Sequence, residues 1–169
     1  MNQLPPAGRW ALGPEARALA EDLLALALHQ GLHTGWLGAE AGFLSNLSVQ
    51  ENLRFMHDWQ AGSSRSFGAD LQAALDTMQW PVPDWLHQRP SELQDLQLLH
   101  ARVLRVLLLR PDVLVLHPVT LAQAGALPTD ALLDAFASAR LLLLAEPSAN
   151  WPAWPAPALL PDPTEETLA

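Results

Sequence analysis

Apolar residues along this chain fall into two kinds of run. In one they recur every three or four positions; in the other they are unbroken over four or five. The periodic kind covers 14–31 (PEARALAEDLLALALHQG), 48–60 (SVQENLRFMHDWQ), 69–80 (ADLQAALDTMQW), a stretch from about Ser91 to Leu109, and 129–139 (TDALLDAFASA), and it predicts helices. End signals agree: Pro14 and Glu15 open the first helix and Gly31 closes it, Ser48 with Glu51 three residues on is a capping-box pattern, and Thr129 caps the last. The unbroken kind covers 112–117 (DVLVLH) and 140–146 (RLLLLAE), runs too uniformly apolar for half-exposed strands. They predict neighbouring central strands joined by a crossover helix at 129–139. Short strands are expected at 9–12 (RWAL) and 34–38 (TGWLG), and a flexible loop at 62–68 (GSSRSFG). Strands alternating with helices make an α/β domain with a mostly parallel sheet, and no internal repeat is present. From Pro147 the chain carries further prolines at 152, 155, 157, 161 and 163, which regular helix and central strand do not accept. The division expected is a domain over 1–146 and a Pro/Trp-rich tail over 147–169.

Composition narrows the function. At 169 residues, half of them apolar, the chain is large enough to bury a real core. A net charge of −9 argues against nucleic-acid backbone or an anionic membrane surface as the main partner, because both require basic patches. Without cysteine there are no disulfides and no thiolate chemistry, which suits a cytosolic protein. The opening MNQLPPAGRW lacks a basic region followed by an apolar stretch, so no signal peptide is expected, and no apolar run is long enough to span a bilayer.

Three blocks, in order and correctly spaced, carry a resemblance. GFLSNLSVQENLRF (42–55) resembles the segment after the Q-loop in the ATP-binding subunits of ABC transporters. RPSEL (89–93) resembles the lead-in to their signature, and LLLRPDVLVLHPVT (107–120) their step into the Walker B strand. The nearest flavour is the subunit that powers Mce-type lipid transporters of Gram-negative bacteria. The resemblance covers about residues 9–146 and implies a truncated P-loop NTPase-like fold with a helical subdomain at about 48–100. It also implies a cytoplasmic protein, peripheral to the inner membrane through a partner. Only about a dozen residues precede Gly13, so most of the family's adenine-binding subdomain is expected to be missing.

Every motif that carries chemistry in that family departs from its pattern here. The family's phosphate loop needs glycines that let backbone N–H groups curl around phosphate, a lysine for the β and γ phosphates and a hydroxyl for magnesium. The matching stretch, Gly13 to Asp22, keeps Gly13 and Pro14 but carries Ala16 and Ala18 for glycines, Leu19 for the lysine and Ala20 for the hydroxyl. Glu15, Glu21 and Asp22 add negative charge, and the simpler expectation is an ordinary helix start capped from within the chain. The Q-loop glutamine falls on Ala39. The signature reads Leu93-Gln94-Asp95-Leu96-Gln97, in which Asp95 would repel a phosphate. Walker B aspartate and catalytic glutamate fall on His117 and Pro118, and the switch histidine on Glu146. Phosphoryl transfer is positioning plus charge stabilisation, so losing these groups together removes the reaction.

The remaining chemistry-bearing residues have simpler readings. His29 and His33 are four apart, a metal-binding spacing on one helix face, but Gly31 lies between them at the expected helix end and no third ligand is evident. No metal and no cofactor is expected. A His117–Glu146 pair at the strand ends lacks a nucleophile. Trp36, Trp59, Trp80 and Trp85 are expected to pack, whereas Trp151 and Trp154 sit in the tail and suggest docking, onto the domain or onto a partner. The expected function is a non-catalytic pseudo-ATPase, an assembly or regulatory subunit of an ABC-type transporter, with a permease or an intact ATPase as partner. In the family, the best-preserved region helps form the groove for the membrane subunit's coupling helix, which makes Phe43, Leu44, Trp59, Trp85, Trp151 and Trp154 the expected contact residues. The competing reading is an active nucleotide site with altered residues, and a third is a decaying remnant.

Overall fold

The structure, a computed structural model, describes residues 4–12, 17–38, 42–61, 65–117 and 133–144. In chain order it runs β1 (Gly8–Leu12), α1 (Arg17–His29), β2 (Thr34–Leu37), α2 (Val49–Ala61), α3 (Phe67–Met78), two single-turn 3₁₀ segments, α4 (Asp95–Leu109), β3 (Val113–Leu116) and β4 (Arg140–Leu144). The four strands form one sheet in the order β1-β4-β3-β2, all neighbours parallel. The two uniformly apolar runs are thus adjacent and central, as their sequence requires. Of the crossover helix expected between them, residues 129–132 lie outside the described part; residues 133–135 are helical and 136–138 form a turn.

Strand β3 shows why the sheet is sandwiched. All four of its residues are buried, and successive side chains point to opposite faces. Leu114 and Leu116 enter a core with α2, α3 and α4, together with Leu37 and Leu141. Val113 and Val115 enter a second core with Ala20, Leu23 and Ala27 of α1, and with Leu4 and Leu12. The architecture is therefore three-layered, with α1 on one face and the other helices on the opposite one. Helix α4 is the spine of the larger layer. It buries Leu99, Ala101, Val103, Leu104, Val106, Leu107 and Leu108, and touches α2, α3 and β2.

Local chemistry sets the element ends. Helix α1 closes in a Schellman motif: Leu32 N–H donates to the Ala27 carbonyl at 2.9 Å and Gly31 N–H to that of Leu28 at 3.0 Å, with Gly31 at φ 74°. Gly35 in β2 is required by closeness instead, because an added Cβ would lie 3.0 Å from Pro111 Cγ. Ser48 and Glu51 form the expected capping box. Ser48 N–H donates to Glu51 Oε2 at 2.7 Å and Glu51 N–H to Ser48 Oγ at 3.2 Å. The Ser48 N–H bond foremost, then the Ser48 hydroxyl donating to the same Oε2 at 2.8 Å, holds the Glu51 carboxyl below its ordinary range. The long helix expected from Ser91 is interrupted. Glu92 reaches back to the Arg89 N–H at 2.8 Å and Gln97 to the Gln94 N–H at 2.9 Å, two successive half-boxes that stop and restart the chain. Leu93 and Gln94 are extended, and α4 begins at Asp95.

Helix α3 ends with a side-chain-bearing residue in the left-handed region, Gln79 at φ 55°. Its N–H donates to the Asp76 carbonyl at 3.1 Å and Trp80 N–H to that of Leu75 at 2.9 Å. Glycine adopts this conformation without a Cβ penalty. Gln79→Gly is expected to raise stability by about 0.5–1 kcal/mol, read as a shifted urea midpoint at unchanged slope.

Candidate functional site

Two regions carry the functional question: the sheet edge at the C-terminal ends of the strands, and helix α2 with its lead-in. In α/β proteins ligands gather at the former. Of the residues singled out there by sequence, Gly13, Ala39, Pro118 and Glu146 lie outside the described residues. Leu19 and Ala20 are described. Ala20 is fully buried in the α1 core and Leu19 packs against it half-buried. His117 follows β3, its backbone N–H donating to the Leu37 carbonyl at 2.9 Å. Gln94 and Asp95 are exposed at the start of α4, where Asp95 sits in the first turn and complements the helix dipole.

His29 and His33 do not come together as ligands. His29 ends α1 on the surface, whereas His33 belongs to the start of β2, where Asp112 Oδ2 accepts its backbone N–H at 2.9 Å. Among the described residues, no three His, Asp or Glu side chains are grouped as a metal site would need.

Helix α2 is built to present a surface. Its inward side carries Val49, Leu53 and the buried polar residues Asn52 and His57. On its outward side Phe55 and Trp59, four residues apart, share a face and are 52% and 82% exposed. Beside them Arg54 and Asp58 form an i,i+4 ion pair at 3.6 Å. Leu44, in the lead-in, is also exposed. Trp59, expected to pack, is instead the most exposed of these large apolar residues, because it falls on the same helical face as Glu51 and Phe55.

Asn52 holds the lead-in in place. Its Oδ1 accepts the Leu44 N–H at 2.7 Å, and its Nδ2 donates to the carbonyls of Leu44 at 3.0 Å, Ser48 at 2.9 Å and Leu47 at 3.3 Å. Phe43 lies half-buried under the Arg105 guanidinium, 5.2 Å from ring to Cζ, and Arg105 also donates to the Gly42 carbonyl at 2.9 Å. Burial, then Arg102 nearby, lowers the Arg105 pKa. Of the other expected contact residues, Trp85 packs into the core of the larger helical layer, pulled down by the 3₁₀ turn Asp84–His87. Trp151 and Trp154 lie outside the described residues.

The other end of α2 is tied to α3 and α4 by charges that sequence reasoning did not single out. His57, its side chain fully buried, sits between Asp58 Oδ1 at 3.2 Å (Nδ1) and Asp70 Oδ2 at 2.8 Å (Nε2). Asp70 also receives Arg65 at 2.8 Å and Arg110 at 3.0 Å. The His57 hydrogen bond foremost, then the two guanidinium charges, hold the Asp70 carboxyl below its ordinary range. Arg110 takes part from the left-handed C-cap of α4, at φ 45°. The His57–Asp70 and Arg110–Asp70 contacts join residues 13 and 40 positions apart, so no local pattern announces them.

With this geometry in place, the comparisons can be stated. The fold is similar to that of a solved structure described as the ATP-binding subunit of an ABC transporter, with a TM-score of 0.62 at 12% identity. The match covers 81% of this chain and 66% of that one, so the chain spans just under two thirds of the length of the structure it matches. No protein-family model and no curated protein matches the sequence. No helix among the described residues is long and apolar enough to cross a membrane.

Two outcomes follow from the α2 contacts. Asn52→Ala leaves the Leu44 N–H and its neighbouring carbonyls without their partner, and is expected to cost about 2–3 kcal/mol in denaturant unfolding, with faster amide exchange across 43–48. Asp70 has its folded pKa below the ordinary 3.8, so its stabilisation is complete above that value and is lost as pH falls from there through the folded one. Asp70→Asn is expected to flatten that part of the stability–pH curve, measured by urea midpoints from pH 6 down to about pH 3.

Proposed function

We propose that this protein is a non-catalytic relative of ABC transporter ATP-binding subunits, acting as an assembly or regulatory subunit of such a transporter, and that the transporter is of the Mce lipid-exporting or -importing kind. One observation carries the non-catalytic reading. The positions that the resemblance assigns to the phosphate lysine and the magnesium hydroxyl are Leu19 and Ala20: Ala20 is buried in the apolar core between α1 and the sheet, and Leu19 packs half-buried against it. A side chain packed there offers neither charge nor oxygen to a nucleotide. The replaced residues Ala39, Gln94, Asp95, His117, Pro118 and Glu146 support the same reading from sequence. On this proposal residues 1–146 form the ATPase-like domain and 147–169 a contact tail, and the protein works in the cytoplasm at the membrane surface through its partner.

The partner surface on this reading is the outward face of α2 with its lead-in. Phe55 and Trp59 supply a large apolar contact beside the Arg54–Asp58 pair, and Asn52 fixes the adjoining Leu44. That face suits an amphipathic helix laid across it, which is how the coupling helix of a membrane subunit would meet an ATPase-like partner.

Titration calorimetry with magnesium and ATP tests the catalytic half, and no binding heat and no phosphate release at millimolar ATP is expected. Stoichiometric magnesium-dependent binding would instead establish an altered but active nucleotide site. Co-expression with a permease and an intact ATPase tests the other half. Phe55→Ala with Trp59→Ala is expected to weaken capture of the membrane complex by at least about tenfold while leaving the unfolding midpoint unchanged, since both side chains are exposed.

A further inference from the structure

Helix α1 carries a second stripe that neither core uses. Arg17, Glu21, Leu24 and Leu28 follow one another at intervals of four, three and four positions, which aligns them along one side of the helix with the spacing of a helix–helix seam. At about 100° per residue the stripe lies roughly a quarter turn from Ala20, Leu23 and Ala27, the buried residues that face the sheet. It therefore points sideways, along the sheet toward β2. Trp36 of β2 meets it there, with the Arg17 guanidinium 5.8 Å from the indole centroid. The stripe, Ala25 and Trp36 line an open groove of about 350 Å³. Leu24 is half-buried in it and Leu28 is 61% exposed.

The strand beneath this groove points to the same occupant. Among the described residues β2 pairs with β3 alone, so it is one edge of the sheet. The two edges differ. Strand β1 carries Arg9, ion-paired to Asp134 at 3.4 Å, a charge of the kind that keeps an edge from taking up another strand. Strand β2 reads TGWL, with neither charge nor proline, and nothing in it turns a further strand away. A strand edge and a helix stripe side by side are both completed by the same two elements of a second copy, related by a twofold axis perpendicular to the sheet. That axis sets β2 antiparallel to its counterpart and α1 antiparallel to its own. The charges agree with it. With the axis near Ala25, Glu21 of each copy stands opposite His29 of the other, and Arg17 lies toward the C-terminal end of the other helix, where the dipole favours a cation. Arg17 and Glu21 are also paired within each copy at 2.9 Å, so the stripe is neutral. Two copies thus meet here without the self-repulsion expected of a chain with net charge −9.

We propose that the α1 stripe and the β2 edge form a self-association surface that joins two copies of this chain. The inference does not rest on the transporter reading. The helix is about 20 Å long and the strand about 13 Å, a patch smaller than the roughly 800 Å² per partner of a standard interface, so the dimer is expected to be weak and reversible, with a dissociation constant of about 1–100 μM. Sedimentation velocity on the full chain should pass from monomer to dimer between about 1 and 300 μM. Leu28→Glu should abolish the dimer, and should leave the unfolding midpoint at the lowest concentration unchanged because the side chain is exposed. The chain has no cysteine, so a single introduced thiol reports on the face in contact. Ala25→Cys is expected to give bis-maleimide-linked dimers at least ~10-fold faster than Val82→Cys, an exposed position beyond α3 on the opposite face of the sheet. A chain that stays monomeric throughout the range overturns the proposal. A dimer that survives Leu28→Glu, or that links equally fast from both thiols, overturns it too, because its contact lies on another face.

Discussion

Strand β3 is the constraint on which the rest depends. Four consecutive residues, Val113 to Leu116, are buried, and they divide alternately between two separate cores. Each such side chain is stabilising only when its own face is covered, at roughly 1.5–3 kcal/mol apiece. A one-residue slip would send the two leucines to the α1 side and the two valines to the α4 side. The strand thus requires helices on both faces and a strand on each edge, which β2 and β4 supply. Ala20 and Leu19 are part of covering the valine side.

The larger helical layer is joined to this sheet twice. Apolar contact through α4 provides most of the adhesion, and the Asp70 cluster pins the far ends of α2, α3 and α4 together near the starts of β2 and β3. Both attachments are made by the chain itself. The face of α2 that remains outward is accordingly rigidly presented: its lead-in is tied by Asn52 and its far end by His57. A helix held at both ends loses little freedom when another surface settles on it.

Sequence made the centre of the sheet legible because the runs that become β3 and β4 are short and almost unbroken in apolar residues, a pattern with few alternatives. The Ser48–Glu51 cap was legible because it is local. The break at Leu93–Gln94 was not, since an unbroken helical pattern runs through it and two N3 side chains decide the matter. Trp59 was read two ways, as a packing residue by type and as a contact residue through the resemblance, and the structure leaves it exposed on the face it shares with Glu51 and Phe55. The His57–Asp70–Arg110 contacts were hidden for another reason: they depend on which distant side chain arrives beside Asp70. Asn52 bonds the backbone of its own lead-in, four to eight residues before it, a role its residue type alone does not announce. Of the positions that the resemblance singles out for a nucleotide, the structure adds only that Ala20 is buried and Leu19 half-buried against the α1 core.

The order β1-β4-β3-β2 also governs how such a chain reaches its folded state. Among the described residues strand β1 pairs with β4 alone, Gly8 against Arg140, so the first described strand waits for the last described one. Everything from α1 through β3 can assemble by contacts of shorter separation, while the closing of β1 onto the sheet is the most distant contact and carries the largest loop-closure entropy. During synthesis β4 emerges long after β1, which stays exposed without that partner in the meantime. That gives the N-terminal strand the greatest need for chaperone cover and makes it the first element expected to fray under force or heat.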